Sequence, residues 1–275
     1  MTNKGDITVN FRTGNTQGFV LTVAALLLAV PGAFVDSGGS LPMQDKLPGA
    51  EQILDQYVEA IGGLPALGKV NNRVTKGTME IAGAGVKLSI TVIQARPNRS
   101  YTVIDSPATG KIESGTNGEI AWQVSALTGA QLMEGKEKAN LLHMNIFDRV
   151  VDWRTSFQKV EAAGVEDVSG KPCCKVVVTP KDLPPQTMFF DKETRLLVRV
   201  TMTVESQAGT IPSDSYLGDY KAVDGVLLPH KIVTKLMNQE RVTTMESIEH
   251  NVQLPADRLE IPAQIKALRF RGQAP

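Results

Sequence analysis

The sequence predicts a mainly β protein, with an α+β arrangement built on one large, curled antiparallel sheet with helical insertions. Three observations carry this. After residue 70 the chain falls into short runs that alternate apolar and polar residues, and on a strand such a run makes one apolar face and one wet face. Turn residues separate the runs in connections so short that neighbouring strands must be antiparallel. About ten or eleven strands in series are also too many for a flat open sheet, so the sheet must curl. The clearest run is Leu196, Val198, Val200, Met202 and Val204, interleaved with Leu197, Arg199, Thr201, Thr203 and Glu205.

The N-terminal segment reads as an export signal. Lys4 and Arg12 precede an apolar stretch from Phe19 to Val30, and Pro31, Gly32 and Ala33 follow it. Basic region, short apolar region and small-residue site stand in the order of a secretory signal peptide. The stretch is shorter than the ~20 residues that span a bilayer. Residues 1–33 are therefore expected to be a signal peptide cleaved near Gly32 or Ala33, and the destination of the mature chain is the periplasm. The alternative is an uncleaved anchor to the inner membrane, extended through Phe34 and Val35. No cysteine follows the apolar stretch, which excludes a lipidated N-terminus. Residues 34–49, rich in Gly, Pro and Ser, read as a linker.

One folded domain is expected over 50–268, with 269–275 as a tail. Ala50 to Ile61 places Ile53, Leu54, Tyr57, Val58 and Ile61 at helical spacing, and Gly62 and Gly63 stop that helix. A short turn, Leu64 to Lys69, leads into strands at Arg73 to Ile81, from Val86, around Tyr101 and Val103, at Lys111 to Thr116, and at Ile120 to Val124. Asn117-Gly118 is a strong hairpin signal. From Glu134 to Trp153 the period becomes helical, and one or two helices are expected there. Strands then resume at 157–167, 171–179, 187–191, 196–206, 216–222, 226–235 and 241–252, with hairpin turns at Asp191 to Thr194 and Asp224-Gly225. Leu254 to Pro275 is punctuated by proline and ends in a basic stub.

Lys plus Arg and Asp plus Glu both number 29, so the formal net charge is zero, which excludes the basic footprint of a nucleic-acid binder. Catalytic signatures are missing as well. The sequence has no G-x-S-x-G elbow, no phosphate-binding glycine loop and no H-E-x-x-H, and the three histidines, His143, His230 and His250, share no helical spacing. No catalytic residue, metal ligand or cofactor is expected. Cys173 and Cys174 are adjacent, and a disulfide between neighbours strains the usual geometry. They read as strand residues, one facing in and one facing out.

The helix followed by Gly62-Gly63, the segment FDKETRLLVRV at Phe190 to Val200, and YLGDYKAVDGVLLPHKI at Tyr216 to Ile232 resemble the outer-membrane lipoprotein-sorting protein family, of the lipoprotein-carrier (LolA/LolB-like) superfamily. The resemblance covers roughly Ala50 to Leu268. It implies a half-barrel of antiparallel strands, closed by helices around an apolar cavity for acyl chains. It also implies a periplasmic lipid or lipoprotein carrier that works between an inner-membrane donor and an outer-membrane acceptor. Lacking a lipidation cysteine, the chain looks like the soluble carrier rather than the receptor. A monomer is expected.

The expected cavity lining is Leu88, Ile90, Val92, Tyr101, Val103, Trp122, Val198, Val200 and Met202. Each buried CH₂ of an acyl chain is worth ~0.8 kcal/mol, so a carrier needs no polar motif. Met144, Ile146 and Phe147 are either part of a mobile lid or a plain helix-to-sheet contact. Two other functions stay open at this point. One is a structural or partner-binding module of the cell envelope with a filled interior. The other is an enzyme acting on an apolar substrate, with a perturbed polar group inside the cavity.

Overall fold

The computed structural model describes residues 47–107, 110–206 and 209–271, so the expected signal peptide and most of the linker lie outside the described residues. In chain order the elements begin with helices α1 (Ala50–Ala60) and α2 (Gly63–Leu67). Strands β1 (Asn72–Ile81), β2 (Val86–Ala95), β3 (Arg99–Ser106), β4 (Gly110–Thr116), β5 (Ala121–Ser125) and β6 (Gly129–Leu132) follow. Next come α3 (Gly135–Met144) and α4 (Trp153–Ser156), then β7 (Lys159–Val168), β8 (Lys171–Thr179), β9 (Gln186–Asp191) and β10 (Leu197–Ser206). The chain continues with β11 (Gly209–Val223), β12 (Val226–Leu236), β13 (Gln239–His250) and α5 (Ala263–Arg271).

The strands form one 13-stranded antiparallel sheet in the order β6-β5-β4-β3-β2-β1-β13-β12-β11-β10-β9-β8-β7. Each alternating run forms one strand, and the strand with no such run is β6, a short strand paired with β5. Each strand pairs with its chain neighbour except at two places. The first and last strands, β1 and β13, pair in the middle of the sheet. The two edge strands, β6 and β7, are joined by the helical segment 133–158, which crosses from one edge to the other. Helix α3 touches both β5 and β10, although β4, β3, β2, β1, β13, β12 and β11 lie between them. A flat sheet could not bring those strands to one helix. The sheet is therefore curled into an open half-barrel, with α1, α3 and α4 on its concave side.

The core sits at one end of this concave side. Ile53, Leu54, Tyr57 and Val58 of α1 are buried against Val176, Val178, Met188, Phe190, Leu197 and Val200. The Tyr57 and Phe190 rings meet at 5.4 Å. Asp55 accepts hydrogen bonds from the Trp153 indole at 3.0 Å and from both terminal nitrogens of Arg154, which ties α1 to α4. At the end of α1, Gly62 has φ +126° and stands against the Gly225 carbonyl, while the Leu227 amide donates to the Ile61 carbonyl. A side chain at Gly62 would collide there, so the glycine that stops the helix also docks it on the β11–β12 hairpin. The expected turn at 64–69 is in part helix α2, and the proline-punctuated C-terminal region ends in helix α5.

Candidate functional site

Strand register assigns every side chain to one face, because paired residues in an antiparallel ladder lie on the same side. Ile90 pairs with Ile104, and Ile104 with Ile112. Leu88 pairs with Met79, Met79 with Thr243, and Thr243 with Ile232. Val200 pairs with Met188, and Met188 with Val176, in the core beneath α1. These residues share the concave face.

That face has two parts. Beneath α1 it is fully packed; Val200 is 7% exposed and Met188 fully buried. Toward the turns that join β1 to β2 and β12 to β13, Met79, Leu88, Ile90, Ile104, Met202 and Ile232 are only half-buried. The apolar lining thus continues past the helices that cover it. A cavity of about 690 Å³ lies where α3 meets the β5–β6 edge, with Leu132, Met133, Leu141 and Met144 on its apolar side and Gln123, Gln131, Glu137, Asn140 and Asn145 on its polar side.

The nine residues expected to line one cavity are divided by the sheet. Leu88, Ile90, Val92, Val200 and Met202 are on the concave face. Tyr101, Val103, Trp122 and Val198 are on the convex face, and this corrects the expectation. Tyr101 pairs with Ile93 and with Gly115, and Gly115 with Trp122, so this row lies one residue out of step with Ile90 and Val92. The Tyr101 and Trp122 rings meet at 5.9 Å, and the Tyr101 hydroxyl donates to Glu113 at 2.7 Å. Burial first, and this bond second, push the phenol up to about 12. The C-terminal segment covers the row; Arg258 lies over the Tyr101 ring, and a cavity of about 450 Å³ runs between this segment and Val74, Ile93, Tyr101 and Val103.

Val198 is displaced by a β-bulge. Leu197 pairs with Phe190 but Arg199 with Phe189, so one extra residue enters β10. Leu197 turns inward to the helix-covered core, and Val198 joins Val168, Cys173, Phe189 and Tyr216 on the convex face. The same second cluster corrects the cysteine reading. Cys173 and Cys174 do face opposite sides, but both sides are covered there, and both thiols are free and buried. Burial pushes Cys173 up to about 11 and raises Cys174 in the same direction.

Sequence reasoning missed the polar groups on the helical side. Phe147 is 1% exposed and carries the guanidinium groups of Arg73 and Arg96 over its ring at 5.2 and 4.9 Å, so it is a core contact. The same two arginines pair with Asp148, a buried carboxylate on a residue with φ +53°. Arg73 also donates to His250 at 3.1 Å. Met144 stands 39% exposed at the cavity. His143 is buried, its ring at 5.5 Å from that of Phe157, and its Nε2 has no hydrogen-bond partner among the described residues. Burial first, then the nearby Arg149 charge, hold this ring down at about 4. No cluster of metal-ligating side chains occurs among the described residues. No helix among them is long and apolar enough to cross a membrane.

No family model matches the sequence, and no curated protein matches it. Solved structures do match. A DUF1329 family protein from Desulfovibrio piger superposes with a TM-score of 0.55 at 13% identity, covering 77% of this chain and 97% of that one. A LolA superfamily protein from Nitrosomonas europaea gives 0.54 at 11% identity, covering 78% and 98%. An outer membrane lipoprotein-sorting protein domain from Vibrio parahaemolyticus gives 0.52 at 10% identity, covering 76% and 95%. At these identities the likeness is one of fold. The chain has the curved half-barrel fold of LolA-like proteins.

Proposed function

We infer that this protein is a carrier that shields the acyl chains of a lipid or lipoprotein against the concave face during transfer between membranes, without catalysis. The observation that carries this reading is the uncovered part of that face. Met79, Leu88, Ile90, Ile104, Met202 and Ile232 share one side of the sheet and are left half-buried. An apolar surface kept partly wet inside a curved sheet is stabilised by an apolar occupant. At ~0.8 kcal/mol for each buried CH₂, a chain of about sixteen carbons supplies ample driving force without a specific polar contact. The fold likeness to a lipoprotein-sorting domain supports the same reading.

In this account residues 1–33 direct export to the periplasm, 34–49 tether, and 50–268 form the carrier domain. The cargo enters from a donor at the inner membrane and leaves to an acceptor at the outer membrane. The α3–α4 segment, which joins the two edge strands, opens and closes the groove. The full chain, expressed with its own leader in bacterial cells and recovered from the envelope, should show a stoichiometric acyl-chain ligand by native mass spectrometry, and lipid extraction would name it. A protein that emerges empty and fails to take up a fluorescent fatty acid would instead favour the partner-binding module.

A further inference from the structure

The two ends of the half-barrel differ in their turns. Successive turns of an antiparallel sheet alternate between its ends. At the end where the concave face is uncovered lie the β1–β2, β5–β6 and β12–β13 turns. Their residues, Ala82 to Gly85, Ala126 to Thr128, and Met237 with Asn238, include no charge. The Ala82 amide donates to the Glu240 carbonyl at 2.8 Å, which joins the first of these turns to the third. The turns at the helix-covered end carry Arg96, Glu119, Lys192, Glu193, Arg195 and Asp224. The β8–β9 loop, with Lys181 and Asp182, is a charged exception at the uncovered end, and β10 and β11 separate it from β12.

Large apolar side chains stand out from the uncharged turns. Leu127 is 76%, Met237 74% and Val86 37% exposed. Single exposed apolar residues are ordinary, but three at the turns of one end are not scattered. Met237 is also strained. It takes φ +53° in a two-residue hairpin turn, where glycine or asparagine is the favoured residue. No packing within the chain offsets that cost, because the residue is mostly exposed. Val86 begins the row Val86, Leu88 and Ile90, which shares the concave face, and Leu236 and Ile232 do the same on β12. The rim is therefore the mouth of the uncovered groove. Just behind the tips, on the convex side, Lys87 pairs with Glu80 at 3.3 Å and Lys235 with Glu240 at 3.8 Å. Apolar tips backed by a belt of paired charges on long lysine stems match a bilayer surface, with its acyl region inside and its headgroups outside.

We propose that this rim seats the protein on a lipid bilayer, with Val86, Leu127 and Met237 entering the headgroup region and the groove opening onto the membrane. An acyl chain then passes from bilayer to groove without crossing water, which the hydrophobic effect opposes. This rests on the carrier reading and adds the surface through which cargo enters and leaves.

The test places one tryptophan at a time in the full chain and measures its quenching by phosphatidylcholine vesicles with brominated acyl chains. The native Trp122 and Trp153 are buried and give a constant background. The stretch Phe19 to Val30 can itself hold the chain at a membrane, so the readout must be local. Leu127→Trp and Met237→Trp should be quenched, and Val165→Trp, an exposed site on β7, should not. Adding Leu127→Asp to Met237→Trp should lower the ratio of quenched to unquenched rim about tenfold, the range for one large apolar side chain. All these sites are exposed, so folding should be unaffected. Equal quenching at all three sites, or none at the rim, would overturn the assignment. Burial of the rim tryptophans without vesicles, growing with protein concentration, would make a second copy the occupant and overturn the bilayer. A rim that stays unquenched in protein that still takes up a monomeric fluorescent fatty acid would overturn the docking surface alone. A quenched rim in protein that takes up none would uphold the docking surface and sink the carrier reading.

Discussion

Val198 and Val200, two residues apart on β10, face opposite sides of the sheet. The bulge at Leu197–Arg199 separates them: Val200 packs under α1 and Val198 joins Phe189 on the convex face. The same division runs through the rest of the expected lining, with Ile90 inside and Val103 outside. It yields a paired test. Ile90→Trp fills the uncovered groove and should lower uptake of a fluorescent fatty acid by about tenfold or more, a change of ~1.4 kcal/mol. Val103→Trp, on the other face, should leave uptake unchanged. Equivalent effects from the two would mean that the faces are wrongly assigned.

Gly62 fixes the angle at which α1 meets the sheet. Its φ of +126° and its contact with the Gly225 carbonyl leave no room for a side chain. Gly62→Ala should cost about 2 kcal/mol or more in urea denaturation. Gly218→Ala, where nothing stands within 4 Å and φ is not positive, should cost little. Similar losses from both would show that the α1 junction is not constrained.

Asp148 should matter more than either arginine it holds. Asp148→Asn keeps a residue that tolerates the left-handed backbone, yet leaves Arg73 and Arg96 facing each other over Phe147. Removing one partner of a buried pair costs about 3 kcal/mol or more. Arg96→Met, the more exposed partner, should cost clearly less. The order of the two denaturation midpoints decides the point.

The His143 ring sets a pH dependence. Its folded pKa of about 4 lies below the unfolded value near 6.5. The unfolded chain therefore binds more protons between those values, and stability present above pH 6.5 is lost as pH falls toward 4. His250, lowered by burial and by Arg73, adds in the same direction. Tm should drop from pH 7.5 to 4.5, and His143→Phe should flatten part of that slope. An unchanged slope in the variant would remove His143 from the account.

The thiols of Cys173 and Cys174 should stay unreactive toward a thiol-specific reagent in the native protein, because burial raises both. Both should react in denaturant. Fast labelling of the native state would mean that one of the two clusters covering them opens.

The fold was legible in the sequence because alternation and turn chemistry are local signals. The β1, β8 and β12 runs and the hairpins at Asp191 and Asp224 could be read directly. Residues Gly129–Leu132 gave no such signal, since a four-residue strand is too short to show a period. Helix α5, Ala263–Arg271, lacks a clear apolar stripe, so proline punctuation dominated the reading there. The candidate site was only half legible. Alternation says that Ile90 and Val92 share a face, but which residues of the next strand join them depends on register. Val103 and Tyr101 look as apolar as Ile104, and only the pairing of Ile90 with Ile104 separates them. The bulge at Val198 breaks the period without leaving a glycine to mark it. His143 and Phe157 come together through tertiary packing, and no spacing announces that.

Photo-crosslinking with a C16 fatty acid that carries a diazirine near its methyl end tests the central claim most directly. Mapped by peptide mass spectrometry, the adducts should fall on the uncovered concave surface, at Met79, Leu88, Ile90, Met202 and Ile232. Adducts on Tyr101, Val103 or Trp122, beneath the C-terminal segment, would place the chain on the wrong face and contradict the account. Labelling no stronger than that of an unrelated protein would contradict it as well.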